Sequence, residues 1–346
     1  MTKFVIVAGE SSGDLLGSKI IASIQELSPG ATFEGIAGPK MVKAGCKQWF
    51  NSTELSVMGI FGVIKHLPRI LKLRKGLMQK ILKDPPDAFI GIDAPDFNLK
   101  VEEKLKQRGI KTIHVVSPSF WAWRKNRVKL LNQSADLLLC LFPFEEDLLK
   151  EQNVNAIFIG HPLADSIQIE VNSKAARNSL GLKAKIVITL MPGSRSSEIS
   201  RHTLLFFEAA ELLANKLEDI EFVIPVVDFK IREQLMKILA VQLTELKVTI
   251  TDNVHSALSA SDLVITKSGT STLEAALHKK PMVVVYKMSS LTYWFLKIFN
   301  LVKTEHIALP NILLGKKLVP ELIQDDASSK TIFSESLAWL SNHQGV

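Results

Sequence analysis

A chain of 346 residues, 47% of them hydrophobic, can build cores for two ordinary domains and is too rich in core-forming side chains to be disordered. Its 42 Lys and Arg against 35 Asp and Glu leave a formal charge of +7, which favours anionic partners: nucleic acid, a phosphorylated substrate or an anionic membrane face. Cys46 and Cys140 stand alone and argue against a disulfide framework or a zinc site, and no apolar run reaches the roughly 18 residues of a spanning helix.

Met1-Thr2-Lys3 leads straight into an apolar strand and does not read as a signal peptide, so a soluble or membrane-surface protein of a reducing compartment is expected. Strand Lys3–Ala8 is followed by a polar glycine loop, residues 9–14, and then by a helical pattern of apolar residues. The loop is not G-x-G-x-x-G, so dinucleotide binding is a weak reading. Glu10 is unsuited to a phosphate but could bind a sugar hydroxyl, orient another group or stand in solvent. Strands at residues 32–36, 88–92, 112–116, 137–140 and 157–159 then alternate with helices that include 99–107 and 145–152. After a polar stretch, residues 171–185, a second series begins at 186–190, 222–227, 248–250, 263–266 and 282–286. Such alternation predicts parallel sheets covered on both faces. The expected fold is α/β: two doubly wound Rossmann-like domains, 1–168 and 169–346, facing a central cleft.

Two segments break the alternation. Residues 55–83 contain no acid but carry Lys65, Arg69, Lys72, Arg74, Lys75, Lys80 and Lys83 among apolar side chains. Part of this must pack on its own sheet. The rest, with Phe61, Val63, Ile64, Leu67, Ile70 and Leu71 as lipid contacts, suits an anionic bilayer surface. Residues 287–303 are similar, with Tyr293, Trp294, Phe295 and Phe299 beside Lys297 and Lys303.

Candidate chemistry falls at strand ends, where ligands of open α/β sheets collect. Asp93, after strand 88–92, is placed to act as a base, whereas Asp96 and Asn98 read as caps of the next helix. Residues 115–124, with Trp121 and Trp123 before Arg124, could stack on a base, a sugar or an acyl chain. The Pro192-Gly193-Ser194-Arg195 turn follows a buried strand; Ser194, Ser196 and Ser197 could cap a helix with its body near Arg201, and Arg195 suits phosphate oxygens. Ser268-Gly269-Thr270 opens another helix after strand 263–266, beside Lys267, with Glu274 a turn inside to accept from ribose hydroxyls. Together these make a diphosphate cradle that lacks an ATP-loop signature. His161 reads as a hinge or wall residue, and no G-x-S-x-G is present.

These motifs, with Gly38-Pro39-Lys40-Met41, Val57-Met58-Gly59, Gly160-His161-Pro162-Leu163 and Leu309-Pro310-Asn311, resemble the lipid-A-disaccharide synthase family in order from residue 4 to about 323. The resemblance implies a two-domain GT-B glycosyltransferase that needs no metal or cofactor and works on the cytoplasmic face of the inner membrane. It would move 2,3-diacylglucosamine from its UDP derivative to the 6-hydroxyl of 2,3-diacylglucosamine 1-phosphate. Neither nucleic acid nor a fixed oligomeric state, monomer or homodimer, is implied beyond that. Asp93 matches the family's general base, with Glu10 the competing carboxylate. Donor residues would be Ser194, Arg195, Glu198, Ser268, Gly269, Thr270, Glu274 and Asn311. Lys267 departs from the family, which more often has a small residue there, and the chain stops soon after Trp339 where relatives continue. Rival readings are a UDP-N-acetylglucosamine 2-epimerase-like enzyme and a catalytically dead UDP-sugar or lipid-binding protein.

Overall fold

The computed structural model describes residues 2–55, 60–118, 126–167, 170–226, 228–241, 246–289, 293 and 305–342. The chain divides into two compact units, Met1–Pro162 and Leu163–Val346.

The first unit holds a seven-stranded sheet of β1 (Lys3–Ala8), β2 (Thr32–Ala37), β3 (Cys46–Asn51), β4 (Ala88–Ile92), β5 (Lys111–Val115), β6 (Leu137–Cys140) and β7 (Ala156–Phe158). Every pairing is parallel, in the order β3-β2-β1-β4-β5-β6-β7. Successive side chains of β1 point to opposite faces. Val5 and Val7 pack with Leu73, Leu77 and Ile81 of helix Ile60–Lys83; Ile6 and Ala8 pack with Leu16 and Ile21 of helix Ser11–Leu27. Burial on both faces explains the nearly unbroken apolar strands.

The second unit repeats the plan with six strands: β8 (Ile186–Met191), β9 (Ile220–Pro225), β10 (Val248–Thr251), β11 (Leu263–Lys267), β12 (Met282–Tyr286) and β13 (Glu321–Ile323). Their order is β10-β9-β8-β11-β12-β13, again parallel throughout. Helix Ser196–Lys216 buries Phe206 and Phe207 against Ile188, Leu190 and Phe222.

Strand order reverses once in each sheet, between β1 and β4 and between β8 and β11. Loops leaving the C-terminal ends of those strands diverge there and leave a crevice. Two strands escape the sequence pattern: β3, an edge strand of mixed polarity, and β13, only three residues long. Residues 11–14 form the first turn of a helix rather than a loop, with the Asp14 N–H donating to the Glu10 carbonyl at 2.9 Å.

Candidate active site

In the first unit the reversal point is framed by Gly9-Glu10 after β1 and by Asp93-Ala94 after β4, since Ala8 and Ile92 are register partners. A Cβ on Gly9 would stand 3.1 Å from the Ala94 Cβ, so the two turns lie against each other. Asp93 and Ala94 both adopt the left-handed conformation, φ 50° and 45°, and Val116 at the end of neighbouring β5 has φ 77°. Each such residue costs about 1–3 kcal/mol, and for β-branched Val116 the conformation is a true outlier. Strain of this kind persists only when surrounding bonds fix it. Here the Asp93 N–H donates to Val115 O at 2.9 Å, and the buried Asn98 amide donates to Asp93 O at 2.8 Å and Ile92 O at 3.3 Å. The Asp93 carboxylate is thereby held half-buried at the strand end.

Asn98 therefore pins the turn and is not a helix cap. Helix Pro95–Lys106 has Ala94 at its N-cap and no side-chain cap bond, while exposed Asp96 lies in its first turn. Below the turn, Glu102 and His114 form a fully buried pair, Oε1 to Nδ1 at 2.8 Å, and burial pushes the Glu102 carboxyl up. Gly91 makes room for it, because a Cβ there would lie 2.1 Å from the Glu102 Oε1.

Glu10 is the half-buried N-cap of helix Ser11–Leu27 and makes no side-chain cap bond. Asp14, also in that motif, is buried and accepts from the N–H groups of Gly38, Lys40 and Met41 at 3.0, 2.9 and 3.0 Å. It joins the motif of residues 9–14 to that of residues 38–41.

In the second unit the turn after β8 and the helix start after β11 meet at one carboxylate. Glu198 Oε1 lies 2.8 Å from Lys267 Nζ and 3.8 Å from Arg195 Nη1, and its Oε2 accepts from the Ser194 N–H at 3.1 Å. Gly193 turns the chain at φ 138°, and any Cβ there would come within 2.4 Å of the Glu198 Cβ. Burial favours the neutral acid, but Lys267, the Ser194 N–H and Arg195 outweigh it and hold the Glu198 carboxyl below its usual value. Helix Ser196–Lys216 begins directly after Arg195 with no side-chain cap, so the serines do not cap a later helix as expected.

The Ser268 hydroxyl donates to Ile307 O at 2.8 Å, and Thr272 Oγ1 accepts from the Leu309 N–H at 3.2 Å. The Leu309-Pro310-Asn311 motif is thus docked on the loop that opens helix Thr270–Leu277. Gly269 is the N-cap of that helix, Thr270 is exposed, and Glu274 is half-buried with its carboxyl pushed up by burial. Asn311 is fully buried: its amide donates to Val319 O at 2.9 Å and its oxygen accepts from the Leu318 and Val319 N–H groups at 2.8 and 2.9 Å. Its polar atoms anchor a loop.

His202 was not singled out in the sequence. Its Nε2 accepts from the Lys287 N–H at 3.1 Å, so Nδ1 must donate to Glu198 O at 2.9 Å. Burial, above all, lowers its pKa. The ring is a neutral strut between the Arg195 turn and the end of β12. Its partner is 85 residues away, and nothing in the local pattern points to it. His161 packs its ring on Phe142 at 5.7 Å, next to the end of the first unit.

Along helix Ile60–Lys83, Leu67 and Leu71 are exposed, at 45% and 49%. Ile70 is a correction: it packs on the Leu73, Leu77 and Ile81 face against the sheet, as the i, i+3, i+7 spacing dictates. The side chains of Phe61, Val63 and Ile64 lie outside the described residues, as do 57–59, the aromatic loop 119–125 and residues 294–304. Among the described residues no helix is long and apolar enough to cross a membrane, and no three His, Cys, Asp or Glu side chains converge as a metal site would require.

The family model for lipid-A-disaccharide synthetase matches residues 4–345. Lipid-A-disaccharide synthase of Xanthomonas oryzae pv. oryzae (strain MAFF 311018) is 46% identical over 345 residues, which cover 98% of this chain and 79% of that relative. Among solved structures, UDP-GlcNAc 2-epimerase of Neisseria meningitidis bound to UDP-GlcNAc matches with TM-score 0.65 at 12% identity, over 99% of this chain and 92% of its own. The glycotransferase of kitacinnamycin matches with TM-score 0.64 at 16% identity, over 98% and 90%. Identities this low establish a shared GT-B fold and nothing about the reaction, so the epimerase-like reading gains no support from them. Sequence identity across nearly the whole chain decides the family: the chain belongs to the lipid-A-disaccharide synthase family of glycosyltransferases.

Proposed function

We propose that the chain performs the family's transfer with the sugar donor on the second unit and the acceptor on the first. The substrates are UDP-2,3-diacylglucosamine and 2,3-diacylglucosamine 1-phosphate. The products are a β-1,6-linked tetraacyl disaccharide 1-phosphate and UDP. One observation carries the assignment of sites: in each sheet the candidate loops leave the strand pair where strand order reverses, β1 and β4 or β8 and β11.

In an inverting transfer the acceptor 6-oxygen attacks the anomeric carbon opposite the diphosphate. The new C–O bond forms as the bond to the phosphate oxygen breaks, and UDP leaves with the electron pair. Asp93, held on its strained turn, takes the hydroxyl proton. Arg195 neutralises the leaving diphosphate, with Ser194 and the backbone N–H groups at Gly269-Thr270 beside it. Glu274 accepts from the ribose hydroxyls. Ser268 and Asn311 act through the loops they fix, and Glu198 acts on the cations around it. Exposed Leu67 and Leu71, on a helix whose last turn carries Lys80 and Lys83, bring the chain to the anionic cytoplasmic face of the inner membrane, where acylated substrates reside. The transfer proceeds without metal, so a chelator leaves the rate unchanged; a loss restored by Mg²⁺ would refute that.

The test is an initial-rate assay with UDP calorimetry. Asp93→Asn abolishes turnover while UDP affinity stays near normal, Glu10→Gln is milder, and Arg195→Ala loses about 10²–10³ in rate. Loss of UDP binding in Asp93→Asn, or an active Asp93→Asn beside a dead Glu10→Gln, overturns the assignment of the base.

A further inference from the structure

A carboxylate at the centre of a diphosphate cradle is an electrostatic problem. Glu198 sits between the two anion-suited loops with its side chain only 12% exposed, and its charge opposes that of any phosphate bound there. Among the described residues, two cations pair with it. Lys267, 17% exposed, is in direct contact at 2.8 Å; Arg195, 45% exposed, stands off at 3.8 Å. With Lys267 in place the trio is net positive. With Lys267 removed it would be neutral, and Arg195 would be the remaining cation of the trio within reach of Glu198.

We propose that Lys267 is a positioning residue for the donor diphosphate: by pairing with Glu198 it leaves the Arg195 guanidinium directed to phosphate rather than to its own neighbouring carboxylate. Glu198 itself cannot be dispensed with lightly, because its other oxygen holds the Ser194 N–H and its side chain braces Gly193. Lys267 is further steadied by the Tyr286 ring, 5.9 Å from its ammonium. The inference rests on the reading of Arg195 as the diphosphate ligand.

The test is UDP calorimetry on the intact chain with four variants: Arg195→Ala, Lys267→Met, Glu198→Gln and the double variant Lys267→Met/Glu198→Gln. Lys267→Met takes one positive charge from the site and leaves Glu198 to draw on Arg195, so UDP is expected to bind about tenfold more weakly or worse. Gln keeps the shape of Glu198 and its acceptor for Ser194 but removes the negative charge, so the double variant regains affinity to within about threefold of the original chain. A lysine that serves only the fold would lower the urea midpoint of Lys267→Met and leave UDP affinity unchanged. Unchanged affinity in Lys267→Met, or a double variant as weak as Lys267→Met alone, overturns the proposal. If Arg195→Ala also binds UDP normally, the donor-site reading falls with it; if only Arg195→Ala is weak, the donor site stands and the role of Lys267 does not.

Discussion

Glu145 is a carboxylate whose position, 2% exposed, works against its charge. Its Oε2 accepts from the Leu141 and Phe142 N–H groups, both at 3.1 Å, which favours the ionised form. Burial prevails and lifts its pKa from 4.5 to about 7. Between those values the folded chain keeps a proton that the unfolded chain has released. This group's contribution is therefore most favourable at low pH and is lost as pH rises from about 5 through 7. The full swing is about 3 kcal/mol at most. Glu145→Gln should flatten the fall of the urea midpoint between pH 5 and 8; an unchanged slope would show that the carboxyl ionises freely.

At the scale of one element, helix Ile60–Lys83 divides into a core face and an outer face. Serine at Leu67, Leu71 and Leu82, exposed by 45%, 49% and 43%, should weaken binding to phosphatidylglycerol vesicles. Stability should move by less than about 0.5 kcal/mol per site. Ile70→Ser should do the reverse, costing about 1–3 kcal/mol of stability with little change in vesicle binding. Co-sedimentation and chemical denaturation on both variants distinguish the faces; equal effects would mean that the helix is not divided this way.

For the whole molecule, two sheets with separate cores carry the proposed donor and acceptor loops on separate units. Hydrogen exchange with saturating UDP should protect residues 193–199 and 267–272 and leave 91–98 near their free rates, whereas the acceptor monosaccharide phosphate should protect 91–98. Protection of 91–98 by UDP alone would break the assignment of one substrate to each unit.

Most of the parallel α/β plan and the candidate turns at strand ends were legible because both are local. A buried parallel strand needs a short apolar run, and a turn needs its glycine or proline within a few residues. Asp93, Arg195 and the Ser268-Gly269-Thr270 loop could be found that way. What the chain's order alone could not decide is which polar groups meet. Asp14 holds Gly38 to Met41, His202 reaches Lys287, and Glu198 draws Arg195 and Lys267 together, at separations of up to 85 residues. Nor could it tell that Asn98 pins the Asp93 turn from below, or that Ile70 faces the sheet beside two exposed leucines. A hydrogen bond or ion pair depends on angstrom distances between side chains, and only the stacking of helices on a sheet in a fixed strand order sets those distances.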